Sequence, residues 1–148
     1  MRSRRASYGS ARPRSKTLDQ VAERLATREA RWSSGEEFYW VITLPDDDSA
    51  IGAISCSVDN HSAGFGFFLN RRHWRKGYAT EGARAIVEWA MTMPAIWRVW
   101  ATCDVENVAS ARVLEKVGLV REGTMRRSIV RPNLSREPRD AYIYARVR

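Results

Sequence analysis

Trp74-Arg75-Lys76-Gly77-Tyr78-Ala79-Thr80-Glu81 is a short basic turn with one glycine that runs directly into an amphipathic helix. Ala79, Ala83, Ile86, Val87 and Ala90 follow at helical spacing, so Gly77 falls where the first backbone N–H groups of a helix have no intrahelical partner. Those donors, the positive end of the helix dipole, and Arg75 and Lys76 together suit a phosphate or pyrophosphate. Ahead of the turn, the aromatic-rich run Gly64 to Leu69, bounded by Asn70, has the composition of a strand. Strand, anion loop and helix in that order predict an α/β fold. The same residues admit a plainer reading, in which Gly77 only eases a strand-to-helix turn and the basic side chains are solvated. A Walker loop needs Gly-x-x-x-x-Gly-Lys-Ser/Thr, which is absent, and a dinucleotide fingerprint needs three spaced glycines where only Gly77 and Gly82 are near.

Working outward, Thr17 and Gln20 form a capping box, and Leu18, Val21, Ala22 and Leu25 make the apolar stripe of a helix ending near Ser33-Ser34-Gly35. Phe38 to Leu44 and Ala50 to Ser57 are β-type runs joined through Pro45-Asp46-Asp47-Asp48. The central helix is stopped near Pro94, a buried strand is expected from Trp97 to Cys103, and a short helix from Val108 to Val117 closes at Gly118. Two last strands, around Gly123 to Val130 and Asp140 to Val147, flank a loop from Pro132 to Pro138. The strands at Phe67 and Trp100 are joined through a helix and are expected to be parallel neighbours.

Two segments carry a family resemblance. Trp74-x-x-Gly77-x-Ala79 resembles the coenzyme A pyrophosphate loop of the GNAT acyltransferase superfamily. Asn107-x-x-Ser110-x-Arg112-Val113-Leu114-Glu115-Lys116-Val117-Gly118-Leu119, followed by Glu122-Gly123, is similar to the Asn-x-x-Ser helix of the Rim-type branch, the ribosomal-protein-alanine N-acetyltransferases. The resemblance spans Phe38 to the C-terminus. It implies the acyl-CoA N-acyltransferase fold, a mixed twisted sheet with splayed central parallel strands flanked by helices, and an acetyl-CoA cosubstrate. The gap would admit the pantetheine arm beside Phe67, Phe68 and Leu69, with a β-bulge or a glycine-assisted twist at Gly64 or Gly66 helping to open it. The diphosphate would sit on Trp74, Arg75, Lys76, Gly77, Tyr78, Ala79 and Thr80. Asn107 would pair with a pantetheine amide, and Ser110 would protonate the departing thiolate. Arg112 either reaches a coenzyme A phosphate or is an ordinary exposed helix arginine, and its position fits both.

The implied reaction is direct attack by a primary amine, with a backbone N–H near Leu69 stabilising the oxyanion. By spacing alone, Ser110 shares the inward face of its helix with Val113, Leu114 and Val117, and lies at N3 if Asn107 is the N-cap. A small serine permitting close packing and a purely structural cap fit those two positions equally well. No acid lies in the Gly64 to Leu69 strand, which leaves Glu37, Asp59, Asp104 and Glu122 as candidate bases. Transfer through a Cys103 thioester lacks an evident activating histidine. A protein N-terminal α-amine, a small-molecule amine such as an amino acid, polyamine or aminoglycoside, and a non-catalytic coenzyme A-binding module all remain open. Acceptor choice is expected to reside in the helix near Thr17 to Trp32 and in the loop before the last strand; Trp32, Trp40 and Tyr78 are candidates to line that pocket, with core or rim packing the commoner role of a tryptophan.

The 148 residues, 44% hydrophobic and 28% charged with six tryptophans, suit a single packed domain. Residues 1–16 contribute six of the eight net positive charges and no acid, which reads as a basic flexible tail ahead of an acetyltransferase domain at 17–148. Nucleic-acid contact is expected only through that tail. Cys56 and Cys103 read as buried free thiols, and with His61 and His73 the only histidines no metal pattern emerges. His73, beside the loop, reads as a solvated histidine ahead of the alternative, a contact with substrate. The absence of a long apolar run argues against a membrane span and makes a cytoplasmic location the default expectation. A homodimer is left open.

Overall fold

The computed structural model describes residues 17–148, so the basic tail at 1–16 lies outside the described residues. The elements are α1 (Leu18–Ser33), β1 (Glu37–Leu44), β2 (Asp47–Asp59), β3 (Ser62–Leu69), α2 (Tyr78–Thr92), β4 (Arg98–Asp104), α3 (Val108–Lys116), β5 (Val120–Arg131) and β6 (Ser135–Val147), with one 3-10 turn at Arg71–His73. The six strands form one mixed sheet in the order β1-β2-β3-β4-β6-β5. Every neighbouring pair is antiparallel except β3 and β4.

That parallel pair is joined for only three residues, Ser62↔Arg98, Ala63↔Val99 and Gly64↔Trp100. Beyond them both strands continue, to Leu69 and Asp104, without pairing. The sheet therefore splits in its middle. The register of β2 on β3 is unbroken from Gly52↔Leu69 to Asp59↔Ser62, so no bulge opens the gap. Gly64 acts instead at the last paired position: a Cβ there would lie 2.7 Å from the Trp100 ring, whose indole N–H donates to Ser62 Oγ at 2.9 Å. Gly66 meets nothing within 4 Å and is not packed in this way.

Ala63 and Phe65 of β3 and Val99, Ala101 and Cys103 of β4 are buried on one side of the sheet, in one core with Ala83, Ile86, Val87 and Ala90 of α2. Those four α2 positions belong to the apolar stripe predicted from periodicity, whose fifth member, Ala79, is only half-buried. α1 forms as expected, with Thr17 accepting from Gln20 N–H, yet none of its residues is buried. Leu18, Val21 and Leu25 are exposed, and the helix is held at its C-terminal end, where Trp32 meets Phe38 and Trp40, and Arg28 lies over Tyr39.

The last hairpin is longer than the sequence suggests. β6 begins at Ser135, and Pro138 lies within it, where the β5 register shifts on both sides of Ile129. An irregular stretch of ladder tolerates a residue without an N–H. The hairpin consequently extends past Asp104, the end of β4.

Candidate active site

The loop after β3 is built by local hydrogen bonds. Asn70 N–H donates to Ile51 O at 2.7 Å, its side chain accepts from Arg72 N–H, and the Trp74 indole donates back to Leu69 O at 2.8 Å. Arg75 and Gly77 both adopt positive φ, 61° and 84°. Gly77 is the N-cap of α2, and no side chain caps this helix. The contrast with α1 and α3, capped by Thr17 and Asn107, is a physical one: an N-cap side chain would occupy a donor that α2 leaves available. The first intrahelical bond runs from Glu81 N–H to Gly77 O, so the N–H groups of Tyr78, Ala79 and Thr80 have no intrahelical acceptor. Exposed Arg75 and Lys76 stand beside them.

The second half of the site is the split itself. In an antiparallel ladder each residue directs both main-chain groups to one side, and alternate residues to opposite sides. Because Asn70 pairs with Ile51, Phe68 and Gly66 also face β2, and the main-chain groups of Phe67 and Leu69 face the gap. The cleft there is lined by Phe65, Gly66 and Phe67 of β3, Ala101, Thr102 and Cys103 of β4, Asn107, Ser110 and Leu114 at α3, and Arg131 of β5.

α3 follows β4 through a tight turn in which Asp104 Oδ1 accepts from Glu106 N–H. Asn107 caps the helix, its Oδ1 accepting from Ser110 N–H at 3.1 Å, which places Ser110 at N3 as the spacing predicts. Ser110 is half-buried against the cleft. Arg112 is exposed and outside the cleft lining, and the Phe68 side chain is 62% exposed, on the opposite face of β3 from Phe67.

None of the four candidate bases lines the cleft. Glu37 pairs with Arg31 at 2.6 Å, and exposed Asp59 accepts from the Asn60 amide. Glu122 is bonded by Arg98, which holds its carboxyl below the usual range. Asp104 is buried, and the hydrogen bonds from Arg139, at 2.6 and 3.1 Å, hold its carboxyl low despite burial. Trp32 and Trp40 join Phe38 and Trp89 in an aromatic cluster away from the cleft, and Tyr78 lies near His73, ring centroids 6.3 Å apart. His73 is half-buried rather than solvated, its Nδ1 enclosed without a hydrogen-bond partner.

Both cysteines are buried free thiols. Burial pushes the Cys56 thiol up to about 12 and the Cys103 thiol up to about 11. Thr102 and Arg131 are cleft residues that the sequence does not flag as such, since each reaches the site through strand pairing, and Cys103, weighed above only as a nucleophile, lines the cleft with them. Among the described residues no cluster of metal-binding side chains occurs, and no helix is long and apolar enough to cross a membrane.

Comparison with known proteins agrees with this architecture. The chain is similar to the uncharacterized N-acetyltransferase YnaD of Bacillus subtilis (strain 168), 37% identical over 106 residues, covering 70% of this chain and 61% of YnaD. It is also similar to the probable N-acetyltransferase YjcK of the same organism, 31% identical over 76% of this chain and 65% of YjcK. The chain thus spans about three fifths of the length of these curated relatives. In fold it is similar to the ribosomal-protein-S5-alanine acetyltransferase of Vibrio fischeri, TM-score 0.81 at 21% identity, covering 90% of this chain and 75% of that one. It is likewise similar to the ribosomal α-N-protein acetyltransferase RimL in complex with coenzyme A, TM-score 0.78 at 19% identity, with coverage of 88% and 73%. The acetyltransferase (GNAT) domain family matches residues 1–120, more than three quarters of the sequence, and this chain belongs to that family.

Proposed function

We propose that this protein transfers an acetyl group from acetyl-CoA to a primary amine, by direct attack with both substrates bound. The observation that carries the reading is the uncapped N-terminus of α2, with Gly77 in the left-handed region, standing beside a parallel strand pair that parts after three residues. The first supplies donors for a diphosphate. The second exposes strand backbone to a ligand's amides.

The residues fit the cosubstrate. The N–H groups of Tyr78, Ala79 and Thr80, with Arg75 and Lys76, would hold the diphosphate, and the gap-facing backbone of Phe67 would pair with the pantetheine arm. Asn107 uses Oδ1 to cap α3, which leaves its amide N–H groups to donate to the same arm. Acetyl-CoA supplies an activated acyl group as a thioester. The Leu69 N–H would stabilise negative charge developing on the carbonyl oxygen, and Ser110 Oγ would deliver a proton to sulfur. Transfer through Cys103 is disfavoured, because burial keeps the thiol protonated and no histidine lines the cleft.

The fold likeness to ribosomal-protein acetyltransferases supports an α-amine of a protein or peptide as acceptor. The test is acetyl-CoA titration by calorimetry, followed by thiol release over a panel of peptides, amino acids, polyamines and aminoglycosides. Saturable binding with release on at least one acceptor is expected. Binding without release on any acceptor would favour a coenzyme A-binding module.

A further inference from the structure

Among the described residues lining the cleft, Arg131 is the one side chain carrying charge at neutral pH. It is the last residue of β5, paired with Ser135, and opens the loop that precedes the final strand. Its anchorage is built from several residues. Arg131 Nε lies 4.0 Å from Asp104 Oδ2, while Arg139 donates to both oxygens of that carboxylate and at 2.6 Å to Glu106. The Glu106 N–H also donates to Asp104, so the buried carboxylate is a fixed post against which Arg131 rests. The guanidinium side chain retains 23% of its exposure. Its positive charge reaches into the cleft, where it partly offsets the rise that burial imposes on the Cys103 thiol.

A guanidinium in a cleft whose other described lining residues are uncharged has two effects on an incoming amine. It repels an ammonium group, which favours the neutral nucleophile where no carboxylate lines the wall to take the proton. It also attracts a planar or tetrahedral oxyanion through paired N–H donors. We propose that Arg131 is a specificity-determining residue, selecting primary amines that bear a carboxylate or a phosphate close to the amino group. This inference rests on the transferase reading above.

The experiment measures thiol release by the full chain on two acceptor pairs that differ in the anion alone. One pair is an Ala-Asp-Ala amide against an Ala-Asn-Ala amide, and the other is phosphoethanolamine against ethanolamine. The anionic member of at least one pair is expected to show a kcat/KM higher by about tenfold or more, and the responding pair identifies the anion. In Arg131→Gln that preference collapses while acetyl-CoA affinity is kept. Arg131→Lys, which keeps the charge without the fork and guards against misfolding, retains part of it. Equal rates within both pairs, or a preference surviving in Arg131→Gln, would overturn the inference while leaving acetyl transfer intact. No release from any of these four would overturn this inference, and no release from the wider panel above would overturn the transferase reading as well.

Discussion

Gly77→Val separates backbone strain from anion binding. A Cβ at Gly77 would meet no atom within 4 Å outside its chain neighbours, so the added carbon is not crowded, and the main cost comes from a φ of 84°. A β-branched residue held there costs about 1–3 kcal/mol. At roughly 2–4 °C per kcal/mol for a domain of this size, the melting temperature falls by a few degrees if the turn keeps its shape. If the turn relaxes, at least one charge-assisted hydrogen bond to the diphosphate is lost, worth about 1.5–3 kcal/mol, and acetyl-CoA binds about 10- to 150-fold more weakly. Gly118→Val is the control. Gly118 has a φ of 89°, its added Cβ would meet only Arg146 at 3.8 Å, and it follows the C-terminus of α3 rather than the start of α2. It should lose comparable stability with acetyl-CoA affinity unchanged. Calorimetric titration of both variants with acetyl-CoA, and with a pantetheine fragment lacking the diphosphate, completes the comparison. A folded Gly77→Val protein that binds acetyl-CoA as tightly as the parent would refute the argument.

Other perturbations test separate parts of the account. Ser110→Ala should lower kcat by about 100-fold or more with acetyl-CoA affinity nearly intact, and lost affinity would reassign Ser110 to structure. Gly64→Ala forces a methyl to within 2.7 Å of the Trp100 ring and should destabilise the fold by about 1–3 kcal/mol in urea titration; a neutral result would dismiss close packing at the last β3–β4 pair. Asp104 carries a folded-state pKa depressed by Arg139, so it contributes stability that is present above its unfolded value and lost as pH falls through the folded one. Asp104→Asn should therefore flatten the acid limb of a stability profile measured from neutral pH down to about pH 2. An unchanged limb would show that the pair with Arg139 contributes nothing there.

The parts of this site that are legible in sequence are local. Gly77 and the stripe from Ala79 to Ala90 announce a helix start because both signals lie within a few turns of chain, and Asn107 with Ser110 three residues on does the same for α3. Trp100 over Gly64 and Arg131 against Asp104 are not legible, because strand pairing brings together residues tens of positions apart. The register shifts in β5 explain why: counting along the chain cannot locate Arg131 when the ladder skips. Pro138 is a related case, reading as loop for want of an N–H although the bulged ladder accommodates it. In α1 the periodicity identifies the helix correctly but is silent on burial, since exposure of Leu18, Val21 and Leu25 depends on what packs there.

The most direct measurement is the change in backbone amide chemical shifts, in 15N-labelled protein, on adding coenzyme A. The account predicts that the largest perturbations fall on Tyr78, Ala79 and Thr80, with a second group at Phe67 and Leu69. Saturable binding that leaves those amides unmoved would contradict it.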